Sequence, residues 1–205
     1  MNKVLFWDFH GTLSYPDSLW SRCVYETAKE KLPDVPFTFD DVRAHLDNDH
    51  FPWHHPENTY LHLTDPALWW RHIEKLFYNT YRSLGLSEEV ADALSPWVRG
   101  RILNPRGYRL YEDAADTLEL LHHRGWRHII VSNNFPELEL ICNQIGIGKY
   151  FDDFVVSALV GYDKPRREIF EIALKRAGHP DCCYMIGDNP EADGMGAKNA
   201  GLSCI

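Results

Sequence analysis

The sequence contains no hydrophobic run long enough to cross a membrane, since no apolar stretch approaches the ~20 residues that a spanning helix needs. The five cysteines are odd in number and include no Cys-x-x-Cys pair, so they indicate neither a disulfide framework nor a zinc knuckle. Positive charge is also scarce, because 21 Lys and Arg against 30 Asp and Glu give a formal net charge of -9. This balance argues against binding a nucleic-acid backbone over a broad surface, but it leaves room for one small phosphate in a local pocket.

The apolar stretch Val4 to Trp7 is interrupted at once by Asp8 and is far shorter than the hydrophobic region of a secretory signal. We therefore expect a cytoplasmic protein with reduced, mostly buried thiols and no membrane partner. Internal repeats and low-complexity tracts are absent too, and no pattern indicates an oligomeric state. What the sequence does have is a hydrophobic content of 44% over 205 residues, which is enough to bury the core of one domain with a sizeable insertion or of two small domains.

Four short apolar runs are typical of strands that are buried on both faces of a parallel sheet. The runs are Val4 to Trp7, His128 to Val131, Phe154 to Val156 and Cys183 to Ile186. Helical spacing of apolar residues lies between them, over residues 114–122, 138–145 and 169–177. This alternation predicts an α/β fold, a three-layer Rossmann-like core on a parallel sheet. The turn Ala200-Gly201-Leu202 should introduce one more strand, so the sequence either ends with a short edge strand or stops before the natural carboxyl terminus.

The segment from about Tyr15 to Trp97 interrupts this alternation and holds six of the eleven histidines and five of the seven tryptophans. Apolar stripes predict three helices in it, the second beginning near Asp65 with Pro66 in its first turn. The stripes are Leu19, Cys23, Val24 and Ala28; Trp69, Ile73, Leu76, Phe77, Thr80 and Leu84; and Val90, Ala93, Leu94 and Trp97. We predict a core of residues 1–14 and 98–205 and a helical cap of residues 15–97 over the carboxyl edge of the sheet. Residues 47–58 have no clear period and are predicted to form a loop.

Polar clusters follow the predicted strands. They are Asp8-Phe9-His10-Gly11-Thr12-Leu13, Ser132-Asn133, Lys164-Pro165, and Gly187-Asp188 with Asp193. The carboxyl ends of parallel strands meet at one edge of a sheet, where open α/β sheets bind ligands. Each cluster alone also fits an ordinary turn or helix cap, but four at one edge favour a functional site.

In order and spacing, these clusters resemble those of the haloacid dehalogenase (HAD) superfamily, whose members are mostly phosphatases. The resemblance covers nearly the whole chain, with an insertion where that superfamily places its C1-type helical cap. It implies that Asp8 is the nucleophile and forms an aspartyl-phosphate, and that Asp8, Asp188 and the backbone carbonyl of His10 bind the metal. Asp193 would hold a metal-bound water or orient Lys164.

The residue types suit the same chemistry. The Asp8 carboxylate can attack phosphorus once a hard cation such as Mg²⁺ offsets the repulsion between two anions, and Asp188 offers that ion a second carboxylate oxygen. Lys164 supplies a compact positive charge for the phosphoryl oxygens, Ser132 a hydroxyl and Asn133 a backbone N–H. We therefore expect Mg²⁺-dependent hydrolysis of a small phosphorylated metabolite, a phosphate monoester. A closed cap would exclude a nucleic acid or a folded protein.

One position departs from the family pattern. Phosphatases of this family usually carry a second Asp two residues after the nucleophile, and this chain has His10 there. An imidazole with an ordinary pKa near ~6.5 can donate and accept a proton around neutrality, so His10 can serve as the proton shuttle. The alternatives are a catalytically weakened protein that binds a phospho-ligand or partner, and a haloacid dehalogenase-like hydrolase. The Thr12 hydroxyl either caps the turn after the nucleophile or contacts the phosphate.

The histidines and tryptophans of the cap allow three interpretations. They form an aromatic, titratable lid over the substrate, a zinc site, or the cap's own core together with solvated histidines. The side chains concerned are His50, Trp53, His54, His55, His62, Trp69, Trp70 and His72. Their spacing is irregular and no cysteine accompanies them, which disfavours zinc.

Overall fold

The central feature of the fold is one parallel sheet. The computed structural model describes residues 1–32, 34–46 and 51–205. The strands are β1 (Lys3–Trp7), β2 (Arg127–Ser132), β3 (Asp153–Val156), β4 (Cys182–Ile186) and β5 (Ser203–Cys204). They lie in the order β3-β2-β1-β4-β5, and every pairing is parallel. The four strands predicted from apolar runs are confirmed, and the two-residue strand β5 pairs with β4 at the edge of the sheet.

Helices cover both faces of the sheet and build the cap. They are α1 (Leu19–Lys31), α2 (Phe39–Leu46), α3 (Pro66–Ser83), α4 (Glu88–Ile102), α5 (Ala114–His123), α6 (Leu138–Gln144), α7 (Ser157–Val160), α8 (Arg167–Arg176) and α9 (Gly196–Asn199). Short 3-10 turns lie at Pro52–His54, Leu61–Leu63, Pro105–Gly107 and Gly148–Tyr150, and a π-helical turn lies at Pro190–Met195. No described helix combines the length and the apolar composition that crossing a membrane requires.

The sheet is the middle of three layers, as predicted. Successive side chains of a strand point to opposite faces. Val4 and Phe6 pack with α8 and α9, whereas Leu5 and Trp7 pack with α5, α6 and the cap. Because both faces are covered, β1 reads as an uninterrupted apolar run.

The start of α3 follows its sequence signal. The Asp65 carboxylate accepts hydrogen bonds from the backbone N–H groups of Ala67 (2.9 Å) and Leu68 (3.1 Å), and Pro66 occupies the first helical position. The eight-residue helix α2 was not predicted, because only Val42 and Leu46 of it are buried.

The apolar stripe predicted for α4 is wrong in part. Leu94 is buried, but Ala93 is exposed and the Trp97 side chain is 61% exposed. The buried face instead includes Ser95. Its hydroxyl donates a 2.6 Å hydrogen bond to the Ala91 carbonyl, so this polar group is buried with a hydrogen-bond partner. Trp97 lies on the outside, beneath the ammonium group of Lys31 at 4.3 Å from the ring centroid.

Two backbone segments connect the cap to the core. The Tyr15 N–H donates to the Arg109 carbonyl (2.9 Å), and the Tyr111 N–H donates to the Leu13 carbonyl (3.1 Å). Ser14 and Leu110 pair antiparallel between them. The segment that leaves the core thus lies next to the segment that returns to it. The division at residues 15 and 97 stays a prediction, and α4 runs across the second boundary to Ile102.

Candidate active site

The carboxyl edge of the sheet brings together the charged residues that follow its strands. Asp8 comes directly after the central strand β1, and its backbone N–H donates to the Ile186 carbonyl at the end of β4 (2.9 Å). The Lys164 Nζ lies 2.9 Å from Asp8 Oδ1 and 2.6 Å from Asp193 Oδ1. The side chains of Lys164 and Asp193 are only 2% and 0% exposed. A buried ammonium group therefore bridges two carboxylates from distant parts of the chain.

A third carboxylate reaches this cluster because a glycine faces it. Oxygen atoms of Asp8, Asp188 and Asp193 lie within 4.8 Å of one another. Gly11 has φ 86°, and a Cβ on it would lie 2.2 Å from Asp188 Oδ2. Only glycine combines that left-handed backbone with so close an approach.

The donor set of this cluster fits a hard divalent cation. All three side chains offer carboxylate oxygens, which Mg²⁺ prefers to nitrogen or sulfur. Among the residues that the structure describes, this is the one group of three or more acidic, histidine or cysteine side chains with such spacing. Two of the three carboxylates also contact Lys164, so the ammonium group neutralises part of the cluster's negative charge.

Burial and charge shift the pKa values in the cluster. Burial raises the pKa of Asp188, and the neighbouring charge of Asp8 raises it further. Burial lowers the pKa of Lys164, but Asp8 and Asp193 outweigh that effect and leave it above its ordinary value. The lysine therefore stays charged. Three carboxylates around one ammonium group still carry excess negative charge, which a bound cation would offset.

Asn133 holds the loop after β2 against the loop that carries Lys164. Its amide Nδ2 donates to the Lys164 carbonyl (2.9 Å), and the Lys164 N–H donates to its Oδ1 (2.7 Å). This clamp was not predicted, since only a backbone contact to phosphate was expected of Asn133. The Ser132 hydroxyl accepts a long hydrogen bond from the Asn134 side chain (3.4 Å).

Asn189 is a further residue that sequence reasoning missed. Its side-chain oxygen accepts from the N–H groups of Glu191 (3.0 Å) and Ala192 (2.9 Å), and its own N–H donates to Asp193 Oδ2 (3.1 Å). Asn189 thus caps the π-helical turn that carries Asp193 and also fixes that carboxylate. The Asn-Pro dipeptide at the start of this turn was the available signal.

The His10 ring lies beside the carboxylates. Neither of its buried nitrogens has a hydrogen-bond partner within the described part of the chain. The ring stacks on Tyr108, with the centroids 6.0 Å apart, and meets the Phe9 ring edge-on. Burial lowers the pKa of His10 to about 4, although the charge of Asp8 opposes this shift. The imidazole is therefore neutral near pH 7 and offers one N–H donor and one lone pair.

One cavity of about 200 Å³ gathers the predicted site residues, and we call it the catalytic cavity. Its walls include Asp8, His10, Ser132, Asn133, Lys164, Asp188 and Asp193, together with Trp53 from the cap. Thr12 is the predicted residue that does not line it. The Thr12 hydroxyl is buried without a hydrogen bond of normal geometry to the described residues, although it lies close enough to Asp188 to lower that carboxyl's pKa slightly.

A second cavity of about 340 Å³ adjoins the first, and we call it the cap cavity. His10, Trp53 and Asn133 line both cavities. His54 lines the cap cavity, whereas Trp69 is buried in the hydrophobic core, so these ring-bearing residues of the predicted cap do not all face the cavity. The described cap histidines form no group of three metal ligands, and His50 lies outside the described residues.

Comparisons with known proteins agree on one family. A family model of haloacid dehalogenase-like hydrolases matches residues 2–201. A pyrimidine 5'-nucleotidase of Escherichia coli is 42% identical over 77 residues, which are 36% of this chain and 34% of that protein. A glyceraldehyde 3-phosphate phosphatase of Methanothermobacter thermautotrophicus is 37% identical over 100 residues, 47% of this chain and 44% of that protein. The chain thus spans a third to a half of the length of these curated relatives.

A solved structure has the same fold over nearly the whole chain. It is a magnesium-bound HAD-hydrolase from Bacillus subtilis, with a TM-score of 0.77 and 19% sequence identity. The match covers 98% of this chain and 86% of that one. At this level of identity the similarity concerns the fold.

Proposed function

Since the chain belongs to the haloacid dehalogenase-like hydrolase family, we propose that it hydrolyses small phosphate monoesters with Mg²⁺, through an aspartyl-phosphate on Asp8. The observation that carries the proposal is the buried Lys164 ammonium group, 2.9 Å from Asp8 and 2.6 Å from Asp193. A buried cation beside an accessible carboxylate is what phosphoryl transfer to that carboxylate needs. Relatives named as phosphatases support the same reaction class.

Phosphate binding falls to the loops at the strand ends. Lys164 supplies positive charge, and the Ser132 hydroxyl and the Asn133 backbone N–H supply hydrogen-bond donors. All three residues line the catalytic cavity. The clamp between Asn133 and Lys164 keeps these donors in one arrangement, which reduces the reorganisation that binding would require.

The cation site is built from the same cluster. Asp8, Asp188 and the backbone carbonyl of His10 would hold Mg²⁺, and Asp193 would hold a bound water or keep Lys164 in place. When bound, the ion neutralises charge on the phosphoryl oxygens. The clustered carboxylate oxygens, within 4.8 Å of one another, support this assignment.

The reaction has two halves. In the first, an Asp8 oxygen bonds to phosphorus as the bond to the leaving oxygen breaks, and that oxygen takes a proton relayed from solvent through His10. In the second, water attacks the phosphorus of the aspartyl-phosphate, its proton passes to the His10 lone pair, and Asp8 is released as a carboxylate. The unpartnered ring nitrogens of His10 at the wall of both cavities support this role.

Phosphate release from a panel of small monoesters with Mg²⁺ tests the proposal. Asp8→Asn should lower the rate by at least about 10³-fold, because the amide is a poor nucleophile. Asp116→Asn, at an exposed position of α5, is the matched control and should leave the rate unchanged. Silence across the panel, or an undiminished rate in Asp8→Asn, contradicts the proposal.

A second candidate function is phospho-ligand binding with little turnover. It is favoured by His10, which stands where phosphatases of the family usually have a second Asp. If the change His10→Asp raises turnover by about 10²-fold or more, the natural protein is a binder that has lost efficient proton transfer. If it lowers turnover, histidine belongs to the working mechanism. A cytoplasmic location is also proposed, since the five cysteines are all free.

A further inference from the structure

The cap cavity is the space that a substrate would enter beyond its phosphate. It shares His10, Trp53 and Asn133 with the catalytic cavity, so a phosphate at Lys164 leaves its alcohol portion facing this space. Its volume of about 340 Å³ suits a small organic group. We propose that the cap cavity binds the leaving group of the ester and selects an uncharged alcohol that carries an aromatic ring. This inference rests on the proposed function.

Three aromatic side chains form one corner of the cavity. The Phe51 and Trp53 rings are stacked, 4.6 Å apart with an interplanar angle of 6°. The Trp20 ring lies 5.0 Å from Phe51 and 5.5 Å from Trp53. Trp20 and Trp53 are only half-buried, so part of each ring is open to the cavity. Flat π-systems stack on such surfaces in offset or edge-on geometry, which favours an aromatic ligand.

The charge of the cavity walls also bears on the kind of leaving group. The described walls of the cap cavity contain no Asp, Glu, Lys or Arg side chain. A carboxylate or a second phosphate on the leaving group would lose water there without gaining a counter-ion. The cavity therefore disfavours anionic alcohols, in contrast to the catalytic cavity beside it.

A few uncharged polar groups complete the walls. The Ser18 hydroxyl makes no capping bond to α1, although Ser18 precedes that helix. Ser21 and His54 also line the cavity. These groups can bind the heteroatoms of a substituted ring or a heterocycle. They do not supply the ion pair that a charged leaving group would require.

Two esters of primary alcohols test the selectivity. In 2-phenylethyl phosphate and 3-phosphonooxypropionate the leaving oxygens have similar reactivity, so the ratio of their kcat/KM values reports recognition. We expect the phenylethyl ester to be favoured by about tenfold or more. Choline phosphate, with a cationic leaving group, serves as a third arm. A ratio of one or less, or a preference for choline phosphate, overturns the inference while leaving the hydrolase proposal standing.

Variants locate the selectivity in the cap cavity. Trp53→Ala should reduce the ratio by about tenfold, because a stacking surface is removed. Ser18→Arg, which places a cation at an exposed cavity position, should reduce it by raising the rate for the anionic ester. Trp97→Ala, an exposed tryptophan of the same cap, should leave it unchanged. An unchanged ratio in both cavity variants contradicts the assignment.

Binding without turnover separates the two proposals. Saturation-transfer NMR with the phosphate-free alcohols should detect 2-phenylethanol on the natural protein and not on Trp53→Ala, and it should not detect 3-hydroxypropionate. If no ester is hydrolysed and 2-phenylethanol still binds in this way, the hydrolase proposal fails, and the cap cavity is a binding site for uncharged aromatic alcohols but not for a leaving group. If no ester is hydrolysed and 2-phenylethanol does not bind, both fail.

Discussion

The catalytic cavity and the cap cavity share a wall, but different forces build them. Around the first, buried charges are held by hydrogen bonds from backbone and amide groups, as in the clamp between Asn133 and Lys164. Around the second, aromatic rings such as Trp20 and Trp53 pack on one another, and the described residues of its walls include no Asp, Glu, Lys or Arg. The catalytic cavity therefore fixes one geometry for one group, whereas the cap cavity selects by shape and polarity. Substitutions in the catalytic cavity should therefore change activity and stability more than substitutions in the cap cavity.

The largest effect is expected where a charge in the catalytic cavity loses its partner. Lys164→Met leaves Asp8 and Asp193 facing each other without the ammonium group. Stability should fall by about 3–5 kcal/mol, measured by urea unfolding, since a buried charge is left unpaired. Phosphate release should fall by about 10²-fold or more.

The matched control is Lys175→Met, at an exposed position on α8, which should change neither quantity. Equal effects of the two substitutions would mean that the ammonium group at the catalytic cavity has no special role.

Acid should weaken the sheet behind the catalytic cavity. The Trp7 Nε1–H donates to His128 Nδ1 (2.9 Å), so this nitrogen must be unprotonated. Burial lowers the pKa of His128 from 6.5 to about 4. The folded protein then binds fewer protons than the unfolded chain between these values. The contribution of His128 to the free energy of unfolding is therefore fully present above pH 6.5 and falls as the pH falls towards 4, by up to about 3 kcal/mol.

Urea unfolding from pH 4 to pH 8 measures this dependence. His128→Asn keeps an acceptor near the Nδ1 position and removes the titration, so its curve should be flatter on the acid side. His123→Asn, with an exposed side chain, is the control and should keep the natural slope. Identical slopes in all three proteins would contradict the buried-histidine account.

Asp163 should act in the opposite direction. It is buried beside Lys164 in sequence, its Oδ1 has no hydrogen-bond partner among the described residues, and burial raises its pKa from 3.8 to about 6. The folded protein binds more protons than the unfolded chain between these values, so this group's contribution to stability falls as the pH rises from 3.8 to 6. Asp163→Asn should therefore raise stability above pH 6 by up to about 3 kcal/mol, checked by thermal melting. A lower melting temperature at pH 7 would show that the charge is compensated.

The smallest effect is expected where the cap meets the core. Glu137, before α6, accepts 2.8 Å hydrogen bonds from Trp70 Nε1 on α3 and from Arg99 on α4. Glu137→Gln removes the charge and should weaken this contact by about 1 kcal/mol. Hydrogen exchange should then rise in α3 and α4 and remain unchanged in the sheet. Glu139→Gln, at an exposed position of α6, is the control. An equal rise of hydrogen exchange in α3 and α4 in this variant would show that Glu137 has no special role.

The sequence predicted that the charged residues of the catalytic cavity lie together, because parallel strands end at one edge. Buried strands read as apolar runs, so the residues after them, such as Asp8 and Asp188, could be assigned to one edge from order alone. Their support was less predictable. The Asn133 clamp joins loops 31 residues apart, and pairing between distant loops leaves no local pattern. Thr38 and Asp41 form a capping box at the start of α2, in which each side chain accepts a hydrogen bond from the other residue's backbone N–H. This sequence pattern could have predicted the helix.

The cap was harder to predict for a physical reason. Helical spacing locates helices, but it does not say which face packs where. On α4, Ser95 is buried and Trp97 is exposed, against the order of their hydrophobicity. The cap cavity depends on aromatic residues from separate segments, including Trp20 and Phe51, whose meeting is decided by tertiary packing.

Trapping the covalent intermediate shows whether Asp8 is the nucleophile. During turnover of a hydrolysable monoester with Mg²⁺, the protein is quenched in acid, digested and examined by mass spectrometry. We expect one phosphoryl group on the peptide that contains Asp8, and none in the Asp8→Asn variant. Continued phosphate release with no phosphoryl group on Asp8, or with the group on another residue, would contradict this expectation.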